Sequence, residues 1–337
     1  MIGDVDPRVL VEAGSGGWLI LLGFGASVVL ALADYRPHLH GAPVHVVNCC
    51  LNETKDPRGG LFNQDRRGRT LAVAAGGLMQ VSRQGWQLHA GAGRLSLGRW
   101  IAISGAAVAP GLGSLTRGGI SALAMFAGVR LGYWWSRDAR GAAAPMSRTA
   151  KSRGLLRETF GAFRASDDAD WFLTDGGHFE NTAAYALLAE RAEVVVLADC
   201  GADPAYAFGD LENLVRKARI DLQAEVLFLR PRTPLPAPPP PDRWQPRLQA
   251  FGSLAELGSS GSSACLGLAR IVYRGRDGTP DAHGLLVIVK PNMSAGLPVD
   301  LVNFHREHPE FPQQPTADQF FDEAQWESYF QLGSYLG

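Results

Sequence analysis

Between residues 171 and 229 the chain alternates between two hydrophobic patterns, and this alternation limits the fold more than any other feature. Residues 171–174 (WFLT), 193–198 (EVVVLA) and 225–229 (EVLFL) are short, nearly continuous apolar runs. Runs of this kind predict strands buried on both faces. The intervening segments have helical spacing. Residues 181–191 (NTAAYALLAER) repeat their apolar positions every three to four residues, and residues 210–222 place Leu211, Leu214, Val215 and Ala218 on one side. Strand, helix, strand, helix, strand predicts parallel pairing through right-handed crossovers. The expectation is an α/β fold, with function at the carboxyl ends of its strands.

The flanking segments read less regularly. Residues 44–51 (VHVVNCCL) predict a buried strand and 70–75 a short one, separated by a polar loop at 52–68. Residues 98–107 and 119–135 predict apolar helices around the turn APGLGS at 109–114, and 155–163 a further helix. Residues 231–246 (PRTPLPAPPPPDRWQP) predict an extended proline-rich linker, and the Gly/Ser-rich 251–264 a flexible stretch. Residues 265–273 and 285–290 flank GRDGTPDAHG and predict a hairpin, and 316–332 a closing helix.

Near the start, residues 17–33 carry no charge. A membrane span needs about 20 residues, and Gly23, Gly25 and the closing Asp34 shorten this segment further. It is expected as a helix packed on the domain or lying on a membrane surface. The division is then an apolar N-terminal segment, 1–34, and one domain, 35–337.

Charge and cysteine content exclude several function classes. Lys+Arg number 32 against 33 Asp+Glu, so no basic surface argues for nucleic acid as a partner. The four cysteines, at 49, 50, 200 and 265, form no CxxC pattern and no His/Cys group with zinc spacing. Reduced thiols, no metal and no cofactor are expected.

The residues best placed for chemistry are Asp175, Gly176 and Gly177, directly after the strand at 171–174. Glycines there let another backbone or a substrate approach closely. A carboxylate at a strand end, partly withdrawn from water, can accept a proton from a serine hydroxyl. The competing reading is that Asp175 only caps the following turn or helix. His178 could assist proton transfer or position the site. Asp199 and Asp203 read as turn formers. Arg216, Lys217 and Arg219, like Asp318, Asp322, Glu323 and Glu327, read as solvated faces.

Several segments, in order, resemble the bacterial patatin-like phospholipase family: HVVNCCLNET, AISGAAVAPGLGS, GVRLGYWW, DGGHFEN at 175–181, VVVLADCGADP, FGDLENLVRKARIDL and FPQQPTADQFFDEAQWESYFQLG at 311–333. The resemblance covers about residue 35 to the end. It implies a patatin-like three-layer domain with a parallel-strand sheet, incomplete at its N-terminus. It also implies a lipid or acyl-ester substrate, and a membrane-associated or cytoplasmic location. Asp175 would be the aspartate of a Ser-Asp dyad, with Gly176 and Gly177 against the substrate. The family's serine lies in Gly-x-Ser-x-Gly, which this chain lacks. The nearest substitute is Ser15 in VLVEAGSGG. Ser104, in the ISGAA segment, reads as packing. The expected function is lipid acyl hydrolysis, or a fragment of such an enzyme without its nucleophile. The alternative is a non-catalytic lipid- or partner-binding module.

Overall fold

The structure is a computed structural model that describes residues 29–54, 68–106, 132–136, 170–230, 250–259, 261–275, 279–315 and 321–336, with isolated residues 154, 157, 163 and 164. It divides into two compact units, Met1–Phe179 and Glu180–Gly337. The calls for the proline-rich linker, for most of the helices at 119–135 and 155–163, and for residues 1–28 lie outside the described residues.

The first unit is built on a six-stranded sheet. Its strands are β1 (Val46–Asn52), β2 (Gly68–Ala74), β3 (Leu78–Val81), β4 (Gln87–Leu88), β5 (Tyr133–Ser136) and β6 (Asp170–Asp175), in the order β4-β3-β2-β1-β6-β5. Every neighbouring pair is antiparallel. One face carries Val47, Cys49, Leu51, Leu71, Val73, Trp171 and Leu173 into a core shared with Leu97, Trp100 and Ile103. The covering helices are α1 (Ala90–Arg94) and α2 (Leu97–Ser104), the latter started by Ser96, whose Oγ accepts from Arg99 N–H. Trp100 is fully buried, and its indole N–H donates to Ala92 O at 3.0 Å. The opposite face holds an aromatic cluster in which Phe163 stacks on Phe172 at 4.8 Å and Trp134 lies 5.1 Å from Phe172. Each fully buried leucine here contributes roughly 1.5–3 kcal/mol.

This arrangement corrects the expected α/β architecture. β6 is flanked by β1 and β5, both antiparallel to it, and not by the strands at 193–198 and 225–229. The parallel-strand, three-layer patatin-like sheet is therefore not what the chain forms. The physical reason lies in coverage. Trp171, Phe172 and Leu173 are all buried because helices cover one face of the sheet and aromatic rings the other. Burial on both faces produces a continuous apolar run whichever way the neighbours point. In addition, 133–136, expected as the end of a helix, is strand β5.

The apolar N-terminal segment also ends differently from a continuous helix. Ala31 bridges to Ser96, Leu32 N–H donates to Leu95 O and Ala33 N–H to Gly93 O. Leu32 is 1% exposed within the first core. Among the described residues no helix is long and apolar enough to cross a membrane.

The second unit contains β7 (Val194–Ala198), β8 (Ala224–Phe228), β9 (Leu266–Tyr273) and β10 (Ala282–Val289), in the order β7-β10-β9-β8. The expected hairpin is present as β9 and β10, in register from Leu266↔Val289 to Tyr273↔Ala282. It inserts between β7 and β8. β7 pairs parallel with β10, and β8 pairs antiparallel with β9, so β7 and β8 run the same way at opposite edges. The described helices are α3 (Ala184–Ala189), α4 (Gly209–Lys217), α5 (Leu254–Leu257), α6 (Val299–Glu307) and α7 (Glu323–Leu336). Leu211 and Leu214 of α4 are buried, as the amphipathic spacing requires. A separate cluster forms where Leu301 and Phe304 of α6 meet Phe311 and Leu332.

Candidate functional site

Asp175 is the last residue of β6, lying opposite Cys49 of β1. The next three residues, Gly176–His178, form a single 3-10 turn, and Asp175 caps it: its Oδ1 accepts from Gly177 N–H at 2.7 Å. Among the described residues, no Lys or Arg forms an ion pair with its carboxylate, which is partly exposed. The carboxylate also acts on its neighbour. Burial first, then Cys50 and Asp175, push the Cys49 thiol far above its ordinary range, so Cys49 remains a neutral thiol.

Gly176 is required by close approach. A Cβ there would lie 2.7 Å from Asn48 O and 3.4 Å from Asn48 Cβ. Asn48 O is also where Ser104 Oγ donates, at 2.7 Å. The Ser104 hydroxyl proton is thus engaged in tying α2 to β1, as the packing reading expected.

A second line of polar groups braces the turn from behind. Thr174 Oγ1 donates to Asn52 Oδ1 at 2.9 Å, so the same oxygen must accept from His178 Nδ1–H at 3.0 Å. Thr174 and Asn52 are fully buried. His178 therefore holds the turn through Thr174. Nothing in the pattern around DGG signals Asn52, which lies 122 residues from Thr174. Its Nδ2 is buried without a partner.

The second unit concentrates its polar groups after the parallel pair. Asp199 follows β7 and Lys290 follows β10, and Lys290 Nζ meets Asp199 Oδ2 at 3.2 Å, with side chains 1% and 5% exposed. Asp203 Oδ2 is 3.9 Å away, and the Tyr206 and Phe208 rings lie about 6 Å from the ammonium. Asp203 also accepts from Ala207 and Phe208 N–H, both at 2.8 Å, which is the turn role expected of it. Asp199 instead belongs to a buried ion pair. Lys290 was missed because it ends an apolar run, where a lysine reads as a strand boundary.

The remaining candidates behave as surface groups. Arg216 pairs with Glu212 and Arg219 with Glu225, both exposed. Asp322 Oδ1 accepts from Gln325 N–H, and Glu327 from Gln331. Ser15 and Asp318 lie outside the described residues. Among the described residues no cluster of His, Cys, Asp and Glu could hold a metal ion. Comparison with known proteins finds no matching family model, no matching curated protein and no matching solved structure.

Proposed function

We propose that this chain carries the acidic half of a serine-dependent acyl-ester hydrolase site, with Asp175 as its base and a lipid ester as its substrate. The reading rests on the residues around Asp175 and their likeness to patatin-like phospholipases, not on the sheet architecture. The observation that carries it is the state of the carboxylate. Oδ1 is fixed by Gly177 N–H at 2.7 Å, and among the described residues no Lys or Arg is paired with the carboxylate. Gly176 lets the turn after Asp175 pack directly on the Asn48 backbone of β1.

In such a reaction Asp175 takes the serine hydroxyl proton as Oγ attacks the ester carbonyl. The alcohol leaves with that proton, and water then hydrolyses the acyl-serine to acid and free serine. A lipid-borne substrate would bring the protein to a membrane surface. The absence of Gly-x-Ser-x-Gly favours a second reading, a module that binds lipid without turning it over.

The test is p-nitrophenyl ester hydrolysis by the purified 337-residue protein, with Asp175→Asn and Ser15→Ala beside it. Without an activated serine and its oxyanion donors, turnover should be close to background, since each is worth orders of magnitude in rate. Robust turnover lost in both variants assigns the dyad to Ser15 and Asp175. Turnover lost only in Asp175→Asn points to another serine. Turnover that Asp175→Asn leaves intact ends the hydrolase reading for this residue.

A further inference from the structure

In the second unit, α7 turns polar residues inward and aromatic residues outward. Gln325, Ser328 and Leu332 are its buried positions, and Gln325 Nε2 donates to Gln314 Oε1 at 3.1 Å. Trp326 and Phe330, one helical turn apart, are 68% and 60% exposed. With Glu323 and Glu327 they form one stripe, since positions three and four apart share a helix face. Residues 321–336 carry Asp322, Glu323 and Glu327 and no lysine or arginine. Large aromatic side chains grouped on the solvent side of a packed helix mark a contact surface.

The same unit has an open groove of about 430 Å³ between α4, the end of β8 and the start of α5. Phe208, Val215, Phe228 and Leu254 give it an apolar floor, and Arg216 and Arg219 stand at its rim. Glu212 also lines it, so the lining carries two arginines against one carboxylate. Arg216 pairs with Glu212 at 3.2 Å and Arg219 with Glu225 at 3.1 Å, and both arginine side chains are more than half exposed. Pairs of this kind in water contribute little and are readily exchanged. They and the Asn213 contact use two N–H groups of Arg216 and one of Arg219, where each guanidinium has five.

We infer that this groove receives α7 of a second copy of the chain, with Trp326 and Phe330 on its apolar floor and Glu323 and Glu327 beside Arg216 and Arg219. Charge complementarity selects the occupant. The helix sets carboxylates and no cation beside its aromatic pair, and the groove sets arginines beside its aromatic floor. A helix laid in an apolar groove with anchors at i and i+4 is a recurrent mode of recognition. A lipid surface fits the stripe less well, because helices that lie on membranes carry Lys and Arg on their polar face. One chain carries both surfaces, so two copies that exchange helices about a twofold axis leave neither surface open. The inference does not depend on the hydrolase reading.

The experiment is sedimentation velocity of the purified full chain over a dilution series, with circular dichroism to confirm that each variant is folded. The wild-type protein should self-associate as its concentration rises. Trp326→Ala, at an exposed position, should weaken self-association about thirtyfold, the effect of losing an aromatic anchor at an interface. Two charge-reversed chains supply the decisive arm, one carrying Glu323→Arg with Glu327→Arg and the other Arg216→Glu with Arg219→Glu. Each chain alone sets like charges against one another in the groove and should associate about tenfold more weakly, or worse. An equimolar mixture of the two should restore association, because every helix then meets a groove of opposite charge. The inference is overturned by a wild-type monomer at every concentration, by unchanged association in Trp326→Ala or in either reversed chain, or by a mixture that associates no more tightly than its components. A wild-type monomer that binds phosphatidylcholine vesicles, with binding lost in Trp326→Ala, overturns it in favour of a lipid surface.

Discussion

Cys200 shows how the polar groups after β7 act on a single residue. It is exposed, while Cys49, Cys50 and Cys265 are buried. Its thiol is pushed above the ordinary value of 9.0, first by desolvation of its inner side and then by the Asp199 carboxylate, with Lys290 pulling the other way. The thiolate is the nucleophile, so a raised value means less of it at neutral pH. In the native protein, iodoacetamide should modify one of the four cysteines, more slowly than a free thiol at pH 7.5. Its rate should still be climbing above pH 9. A rate that levels off below pH 9, or equal labelling of Cys200→Ser, would contradict this account. Asp175 is the counterpart in the first unit. Its place at a strand end followed by a tight turn was legible from DGG, because a cap is decided within two residues, as Gly177 N–H to Oδ1 shows. The Thr174–Asn52 bond was not legible, since it joins residues far apart in the chain.

At the scale of elements, local chemistry placed most strands and helices within a few residues. Strands β3 and β4 and helices α1 and α6 carried no expectation, and two further differences have clear causes. Residues 251–264 read as flexible from their glycines and serines, yet α5 forms inside them with a capping box. Ser253 Oγ accepts from Glu256 N–H, and the Glu256 carboxylate accepts from Ser253 N–H at 2.7 Å. The signature S-x-x-E stands inside a stretch whose composition reads as flexible. Those backbone bonds also hold the exposed Glu256 carboxyl below its usual range. Ser253→Ala should therefore destabilise the protein by about 1 kcal/mol, read by urea denaturation. Ser253→Asp should restore most of the loss. If Ser253→Ala leaves the midpoint unchanged, the cap is not formed in solution. The second exception, 133–136, reads as the end of an apolar helix, but Tyr133–Ser136 pairs along its whole length with β6. Aromatic residues favour strands when a partner edge is available, and that availability is not a property of the segment itself.

For the whole molecule, the division into two units makes a quantitative statement about stability. Leu71 is fully buried in the first core, and Leu71→Ala should cost about 2–5 kcal/mol. Lys290→Met in the second unit leaves Asp199 buried without its cation, and should cost about 3–5 kcal/mol. The two sites share no partner and belong to separate units. Their costs should therefore add within about 0.5 kcal/mol in the double variant, measured by denaturant titration. A coupling of 1 kcal/mol or more would show that the two cores are not independent. The same division separates what each level of description decides. The sequence by itself determined where apolar runs and amphipathic stretches lie, the β9–β10 hairpin, and the capped turn at Asp175. These depend on backbone preferences and on partners a few residues away. Only the tertiary structure decided that β6 sits between antiparallel neighbours, that a hairpin separates β7 from β8, and that Lys290 neutralises Asp199. Burial on two faces looks the same in sequence whichever strand stands alongside. Which distant group satisfies a buried charge is settled only when the chain has closed around it.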